Sequence, residues 1–454
     1  MEPFCTTVTS PIPYTSYIIA TASASRCDLP ANTTTFATAA SSAVSPWMDS
    51  RIWSRLPHRL LDRVLTFLPP PAFFRARSVC KRWYALLYSS SFLQLYLQTS
   101  SSRHCFIFFN HKSIKSHIYR NNGCANSSDN DNGSSSNRMN GRSNYNYDHA
   151  YLFDPYEMAW HRLSFPLIPP GFSPSSCSHG LICWVSEEAG PKSLFLHNPL
   201  LGTLTQLPVT LRPRLFPSIG LRVTSNSIDL AVAGDDLISP YAVKNLTTES
   251  FHIDGGGFYS IWGTTSPLPR LCSLESGHMA HNNGRFYCMN YNPFSVLTYD
   301  ISSNTWWKVQ APMRRFLRSP SLVELEQKLI LIAAVDKSKL NVPRSLRLWC
   351  LQPCGSSWVE VERMPQQLYL QFAEVEDGKG FDCVGHGQFA VIMMRGMNKA
   401  VIFDTRRKIW GWMPPCPYVN GGELHGFGYE PKLATPVTAL LDHLSLPFQS
   451  SFID

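Results

Sequence analysis

The spacing of apolar residues changes along the chain and divides it into a short helical unit and a much longer β unit. In residues 56–87, apolar side chains recur at helical spacing, which predicts short amphipathic helices. The first helix carries a single apolar stripe, formed by Leu60, Leu61, Val64, Leu65 and Leu68. Pro57 suits its first turn, and the three prolines at 69–71 end it. Two further short helices are predicted around Phe73 and Trp83.

From residue 151 onward, a β pattern recurs. Each copy has a short apolar strand ending in a turn residue, followed by a strand with an aromatic or other large apolar side chain. The six turn positions are separated by 44, 47, 55, 50 and 54 residues; they are Asp154, Asn198, Asn245, Asp300, Cys350 and Asp404. Asp and Asn suit such turns because their side chains hydrogen-bond the backbone two residues further on. A period of this length is the size of one propeller blade.

Most copies follow another apolar segment, so each repeat contains two hairpins and predicts a four-stranded blade. Six blades can be counted, and a seventh can be assembled from residues 425–431 and a strand near 216–223. The alternative is a set of unrelated β-sandwich hairpins, although sandwiches usually lack the longer period. The sequence therefore predicts an α+β multidomain protein, in which a three-helix unit at 47–98 precedes an all-β propeller at 103–440.

Three segments have compositions that do not favour a packed core. Residues 1–46 contain 24 Ser, Thr or Ala, and residues 121–150 contain 18 Asn, Ser or Gly. We predict a disordered tail at 1–46, with a transit peptide as the alternative. The 121–150 segment is predicted to be a disordered insertion in a loop of the propeller, since the residues on both sides read as strands. Residues 441–454 form a C-terminal tail.

Charge, cysteine spacing and the lack of catalytic motifs reduce the number of function classes that the sequence supports. The 40 Lys and Arg exceed the 32 Asp and Glu by eight, a mild excess that permits acidic partners without requiring them. Thirteen cysteines show no paired metal-ligand spacing, so we expect no metal and no cofactor. The sequence contains no run of about 20 apolar residues, so no membrane-spanning helix is predicted. Phosphate-binding, nucleophile-elbow and zinc-protease motifs are absent from the sequence, so the chain is predicted not to be an enzyme.

Residues 56–87 resemble the F-box, a helical module. The resemblance rests on two Leu-Pro pairs, a leucine-rich first helix and the Val-Cys-Lys-x-Trp centre at 79–83. It implies that the chain docks in the groove of a Skp-type adaptor bound to a cullin. The docking residues would be Leu56, Pro57, Leu60, Leu61, Val64, Leu65, Leu68 and Pro69. The packing residues behind them would be Val79, Cys80, Trp83 and Leu87. A unit of this size is also too small to cover its own apolar surface easily.

Much of the remaining chain is similar to a family of plant floral F-box proteins, the UNUSUAL FLORAL ORGANS and FIMBRIATA type. The similarity is carried by segments such as WMDSRIWSRLP, VAGDDLISPYAVKNL and FYCMNYNPFSVL. It implies a kelch-type propeller, assembly into an SCF ubiquitin ligase as the substrate-recognition subunit, and a nuclear role in floral meristem and organ identity. It also implies partnership with a LEAFY-type transcription factor as a co-regulator. In the alternative hypothesis, the propeller is a scaffold that redirects the transcription factor on DNA, and the F-box is largely dispensable.

Basic residues in acid-free stretches of the predicted propeller are candidates for contact with the partner or with DNA. They are Arg314, Arg315, Arg318, Lys337, Lys339 and Arg344. Another basic stretch without acids, between Glu188 and Asp229, contains Arg212, Arg214 and Arg222. Basic loops on one face of a propeller can follow a phosphate backbone. An ordinary solvated surface is the alternative.

Overall fold

The computed structural model describes residues 55–99, 103–111, 149–164, 168–235, 246–254, 261–270, 272–274, 277–291, 294–313, 315–335, 344–419 and 421–435. The helical unit contains α1 (His58–Thr66), α2 (Pro70–Ala76), α3 (Lys81–Ala85), a 3₁₀ turn (Leu86–Tyr88) and α4 (Ser90–Thr99). The three predicted helices are present, and α4 was not predicted. The predicted tails at 1–46 and 441–454 lie outside the described residues, as does most of the predicted insertion. Its last two residues belong to a strand instead.

The described part of the propeller forms six blades of antiparallel strands. Blade 1 contains β1 (Cys105–His111), β2 (His149–Asp154) and β3 (Ala159–Ser164). Blade 2 contains β4 (Phe172–Ser178), β5 (Leu181–Ser186), β7 (Leu194–Asn198) and β8 (Thr203–Leu207), while β6 (Gly190–Pro191) pairs with β9 (Pro213–Arg214) beside it. Blade 3 contains β10 (Ser218–Val223), β11 (Ser227–Asp235), β12 (Leu246–Asp254) and β13 (Trp262–Thr264), and β14 (Gly277–His278) pairs with β10.

Blades 4 to 6 follow the same plan. Blade 4 contains β15 (Ala280–Asn282), β16 (Arg285–Asn290), β17 (Ser295–Asp300) and β18 (Thr305–Gln310). Blade 5 contains β19 (Leu317–Leu325), β20 (Lys328–Val335), β21 (Ser345–Leu351) and β22 (Trp358–Arg363). An unpredicted helix, α5 (Gln366–Glu376), leads to blade 6, which contains β23 (Phe381–His386), β24 (Phe389–Met394), β25 (Ala400–Asp404) and β26 (Ile409–Trp412).

The last strand of the propeller closes the ring. β27 (Glu423–Tyr429) returns to blade 1 and pairs with β1 over seven residues, from Cys105 opposite Tyr429 to His111 opposite Glu423. It thereby becomes the innermost strand of that blade, next to β4 and β23. The two segments considered for a seventh blade are therefore β27 of blade 1 and β10 of blade 3. The propeller has six blades in the described residues.

The predicted turns are largely confirmed. The carboxylate of Asp154 accepts a hydrogen bond from the backbone amide of Tyr156 at 3.0 Å, and Asn198, Asp300 and Asp404 accept equivalent bonds in their own blades. Each lies between the third and fourth strands. Two positions differ. Asn245 lies outside the described residues, and the segment after it forms a third strand rather than a fourth. Cys350 lies within β21, and the turn follows at 352–357.

Antiparallel pairing gives the propeller two distinct ends. Connections between the first and second strands, and between the third and fourth, lie at one end, which we call the turn face. Connections between the second and third strands, and between successive blades, lie at the other end, which we call the loop face. The helical unit joins the chain at the start of β1, on the turn face. β1 ends and β2 begins on the loop face.

The helical unit and the propeller share one hydrophobic core. Leu65, Phe73, Leu86, Phe92 and Tyr96 are buried in the same cluster as apolar residues of blades 1 and 2. The propeller residues of that cluster include Ile107, Phe109, Trp184, Phe427 and Tyr429. The rings of Phe73 and Phe92 stack with centroids 5.5 Å apart. The propeller therefore covers one side of this small unit, while Leu60 and Val64 of its first helix and Phe67, the residue after that helix, stay exposed.

Candidate partner-binding surfaces

The first helix of the small unit presents an apolar stripe to solvent. Leu60 is 49% exposed, and Val64 and Phe67 are exposed beside it. These positions are separated by four and three residues, so they lie on one face of α1. Phe67 was missed by the sequence reasoning, although its spacing of seven from Leu60 is the signal that predicts it. We call these three residues the F-box stripe.

The predicted docking residues divide by burial. Pro57, Leu60 and Val64 are exposed, whereas Leu56, Leu61, Leu68 and Pro69 are half-buried. Leu65 is 3% exposed and belongs to the shared core, so its prediction as a docking residue is wrong. On α1, Leu65 faces the propeller side, where burial stabilises the fold and leaves no surface for a partner.

The predicted packing residues also divide. Trp83 is half-buried and packs against the shared core. Val79 is 67% exposed and Cys80 is also exposed, so their assignment to the core is wrong. Cys80 is the N-cap residue of α3, where its sulfur accepts a hydrogen bond from the amide of Trp83 at 3.5 Å. Val79 directly precedes this cap, outside the helix, and is exposed to solvent. The side chain of Leu87 lies outside the described residues.

The loop face carries part of the predicted basic set. Arg315, between β18 and β19, and Arg344, just before β21, are both exposed and lie at connections that leave the propeller on this face. Arg314, Lys337 and Lys339 lie outside the described residues. Arg318 does not belong with the exposed pair, because its guanidinium donates to the buried carboxylate of Glu376 at 2.6 Å.

A buried ion pair anchors the connection between blades 2 and 3 on the loop face. Arg214 and Glu249 are 0% and 1% exposed, and Arg214 Nη2 lies 2.8 Å from Glu249 Oε1. Glu249 also accepts hydrogen bonds from the backbone amides of Leu211 and Arg212, at 2.8 and 2.9 Å. Arg214, which the sequence placed in a basic surface stretch, is therefore an internal support.

A second buried cation supports the same connection. The ammonium group of Lys192 donates to the carbonyl oxygens of Ser186 and Glu188 at 3.0 and 2.5 Å. Burial lowers the pKa of Lys192 to about 8, because the charged form loses its hydration. Its backbone exchanges hydrogen bonds with Thr210. With its backbone held in this way, the 208–217 connection keeps a defined shape on the loop face while Val209, Leu211 and Phe216 stay exposed.

Two further observations concern the residues that the structure describes. No cluster of three or more His, Cys, Asp or Glu side chains there has the arrangement of a metal site. Among the helices that the structure describes, none combines the length and apolar character needed to cross a bilayer.

Comparisons with known proteins agree with this architecture. The F-box domain family model matches residues 53–95. The chain is 59% identical to Protein UNUSUAL FLORAL ORGANS of Arabidopsis thaliana, over 90% of this chain and 91% of that protein. It is 42% identical to Protein ABERRANT PANICLE ORGANIZATION 1 of Oryza sativa subsp. indica, over 87% and 92%. An F-box/kelch-repeat protein of Arabidopsis thaliana is 25% identical over 84% of this chain and 89% of its own length. With an F-box at its N-terminal side, a six-bladed propeller and this identity over nearly its whole length, the chain belongs to the UNUSUAL FLORAL ORGANS family of F-box proteins.

Proposed function

We propose that this protein is the non-catalytic substrate-recognition subunit of an SCF ubiquitin ligase, in which the F-box binds a Skp-type adaptor and the propeller holds the client. The observation that carries the proposal is the F-box stripe. Three large apolar side chains are exposed on a helix whose opposite side is already buried against the propeller. An exposed stripe of this kind fits an apolar groove on a partner. Ubiquitin transfer then relies on proximity, supplied by a separate catalytic subunit.

Replacing Leu60 and Val64 together with serine should weaken binding to a purified Skp-type adaptor by at least about 100-fold, since burying each side chain contributes about 1.5–3 kcal/mol. Serine leaves the charge of the helix unchanged, so the loss reports apolar contact alone. The measurement is a titration of the full chain with the adaptor by calorimetry. The matched control replaces Val359 and Ile409, which are exposed on outer strands of the propeller, with serine. Equal affinity of the wild type and the Leu60→Ser/Val64→Ser variant would reject the proposal.

We also propose that the propeller binds a LEAFY-type transcription factor in the nucleus and acts as its co-regulator in floral meristem and organ identity, with the loop face towards DNA. What supports this is the exposure of Arg315 and Arg344 on the face opposite the F-box. A client held there would leave the F-box free for its adaptor. The alternative is a scaffold that redirects the factor with the F-box largely dispensable. Full transcriptional activity of the Leu60→Ser/Val64→Ser variant would favour that alternative.

Changing Arg315 and Arg344 to alanine should weaken the complex of protein, transcription factor and DNA and make its affinity less dependent on salt. Each lost phosphate contact reduces the slope of log affinity against log salt by about 0.9, so the double variant should lose up to about two. Mobility shifts at several salt concentrations measure this slope. Arg406 and Arg407, exposed on the turn face, provide the control when changed to alanine. A slope identical to that of the wild type would exclude direct DNA contact by this pair.

A further inference from the structure

The F-box carries most of the net charge of the chain. Residues 55–99 contain one acidic residue, Asp62, against seven basic ones: Arg55, Arg59, Arg63, Arg75, Arg77, Lys81 and Arg82. Their difference of six is most of the +8 of the whole protein. The remaining 409 residues are therefore nearly balanced, and the positive field of the molecule is concentrated on the unit that bears the F-box stripe.

Part of this charge is used internally. Arg82 pairs with Asp62, and Arg77 donates to the carbonyl oxygen of Tyr84 at 3.1 and 3.2 Å. Arg59 and Arg63 have no ion-pair partner among the described residues. Both are exposed on α1, one turn apart. Asp62 is the only acidic residue in 55–99 and pairs with Arg82, so no other carboxylate in this unit balances the charges of Arg59 and Arg63.

The two arginines border the F-box stripe. At 100° per residue, Phe67, Leu60 and Val64 occupy about 60° of the helix surface, and Arg63 and Arg59 follow on the side away from the buried Leu65. The surface presented to a partner is thus an apolar strip with a cationic edge. This combination favours a protein groove over nucleic acid, because phosphates would leave three large apolar side chains uncovered.

We infer that the groove that receives this F-box has an apolar floor and an acidic rim, and that Arg59 and Arg63 face the rim and accelerate docking. This inference rests on the proposed adaptor function and specifies the chemistry of its partner surface. Charges at the rim of an interface act mainly on the association rate, through steering that salt screens. Apolar contacts in its centre act mainly on dissociation.

The test is the association kinetics of the full chain with a purified Skp-type adaptor, measured by stopped flow at 20 and 500 mM NaCl. The wild-type association rate is expected to fall about 10-fold between these salt concentrations. The Arg59→Glu/Arg63→Glu variant should associate at least about 10-fold more slowly than the wild type at 20 mM NaCl, with a dissociation rate within about threefold of it. Arg270→Glu/Lys379→Glu, which makes the same charge change at exposed positions in connections between blades, is the matched control and should associate at the wild-type rate.

A variant that associates as fast as the wild type, or a wild-type rate that does not change with salt, would overturn the inference while leaving the adaptor function intact. An Arg59→Glu/Arg63→Glu variant that binds the adaptor normally but loses binding to duplex DNA would overturn it in favour of a nucleic-acid surface. If the wild type does not bind the adaptor at either salt concentration, the proposed function itself fails. Circular dichroism of each variant shows that the helices remain folded.

Discussion

Replacing Glu249 with alanine should destabilise the protein by about 3–5 kcal/mol, the range found when one partner of a buried ion pair is removed. The guanidinium of Arg214 would remain buried without its counter-charge, because both side chains are almost completely inaccessible to water. The amides of Leu211 and Arg212 would lose their acceptor as well. Each buried donor left unpaired adds its own cost of desolvation.

Urea unfolding, monitored by tryptophan fluorescence, measures this loss of stability as a shift of the unfolding midpoint to a lower urea concentration. Glu249→Gln provides a graded comparison, since it keeps the shape and one acceptor oxygen but removes the charge. Glu326→Ala is the matched control, because Glu326 pairs with Arg406 on the surface, where such pairs contribute little. A midpoint for Glu249→Ala that equals that of Glu326→Ala would show that the 208–217 connection is supported by other contacts.

The contrast between Arg214 and the turn residues shows what the sequence can predict here. Asp154, Asp300 and Asp404 were identified because a turn is a local structure, in which a side chain bonds an amide two residues away. The spacing of these turns then predicted the blades. Arg214 lies in the connection between blades 2 and 3, and its partner Glu249 lies on β12 of blade 3, 35 positions later in the sequence. A stretch that contains arginines and no acids predicts a basic surface, because the sequence does not show that an acidic residue on another strand pairs with one of them.

The blade count was left open for a similar reason. β27 reads as an ordinary strand, and only its pairing with β1, more than 300 residues earlier in the chain, assigns it to blade 1. Within the F-box, helical spacing predicted the apolar face of α1 correctly. It did not predict which part of that face the propeller covers, so Leu65 was grouped with Leu60 and Val64. Burial against a distant unit is a non-local property, whereas periodicity is local.

Replacing Phe92 with alanine should destabilise the F-box and the propeller together, by about 3–5 kcal/mol, the usual cost of removing a buried phenylalanine ring. Phe92 lies on α4, is 3% exposed and stacks on Phe73 within the shared core. The same cluster contains Ile107 of β1 and Phe427 of β27, the two strands that close the propeller. A cavity at Phe92 therefore weakens the closure of the ring as well as the packing of the helices.

Hydrogen exchange measures the two units separately in one experiment. In the Phe92→Ala variant, amides of α1, β1 and β27 should all lose protection, whereas Leu97→Ala, a change at a more exposed position on α4, should leave them unaffected. Faster exchange confined to residues 58–99 would contradict the shared core. Because the core is shared, deletion of residues 47–98 also removes packing from blade 1. A loss of transcriptional activity in that deletion variant would therefore not show by itself that adaptor binding is required. Serine at Leu60 and Val64 separates the two effects, because those side chains face away from the propeller.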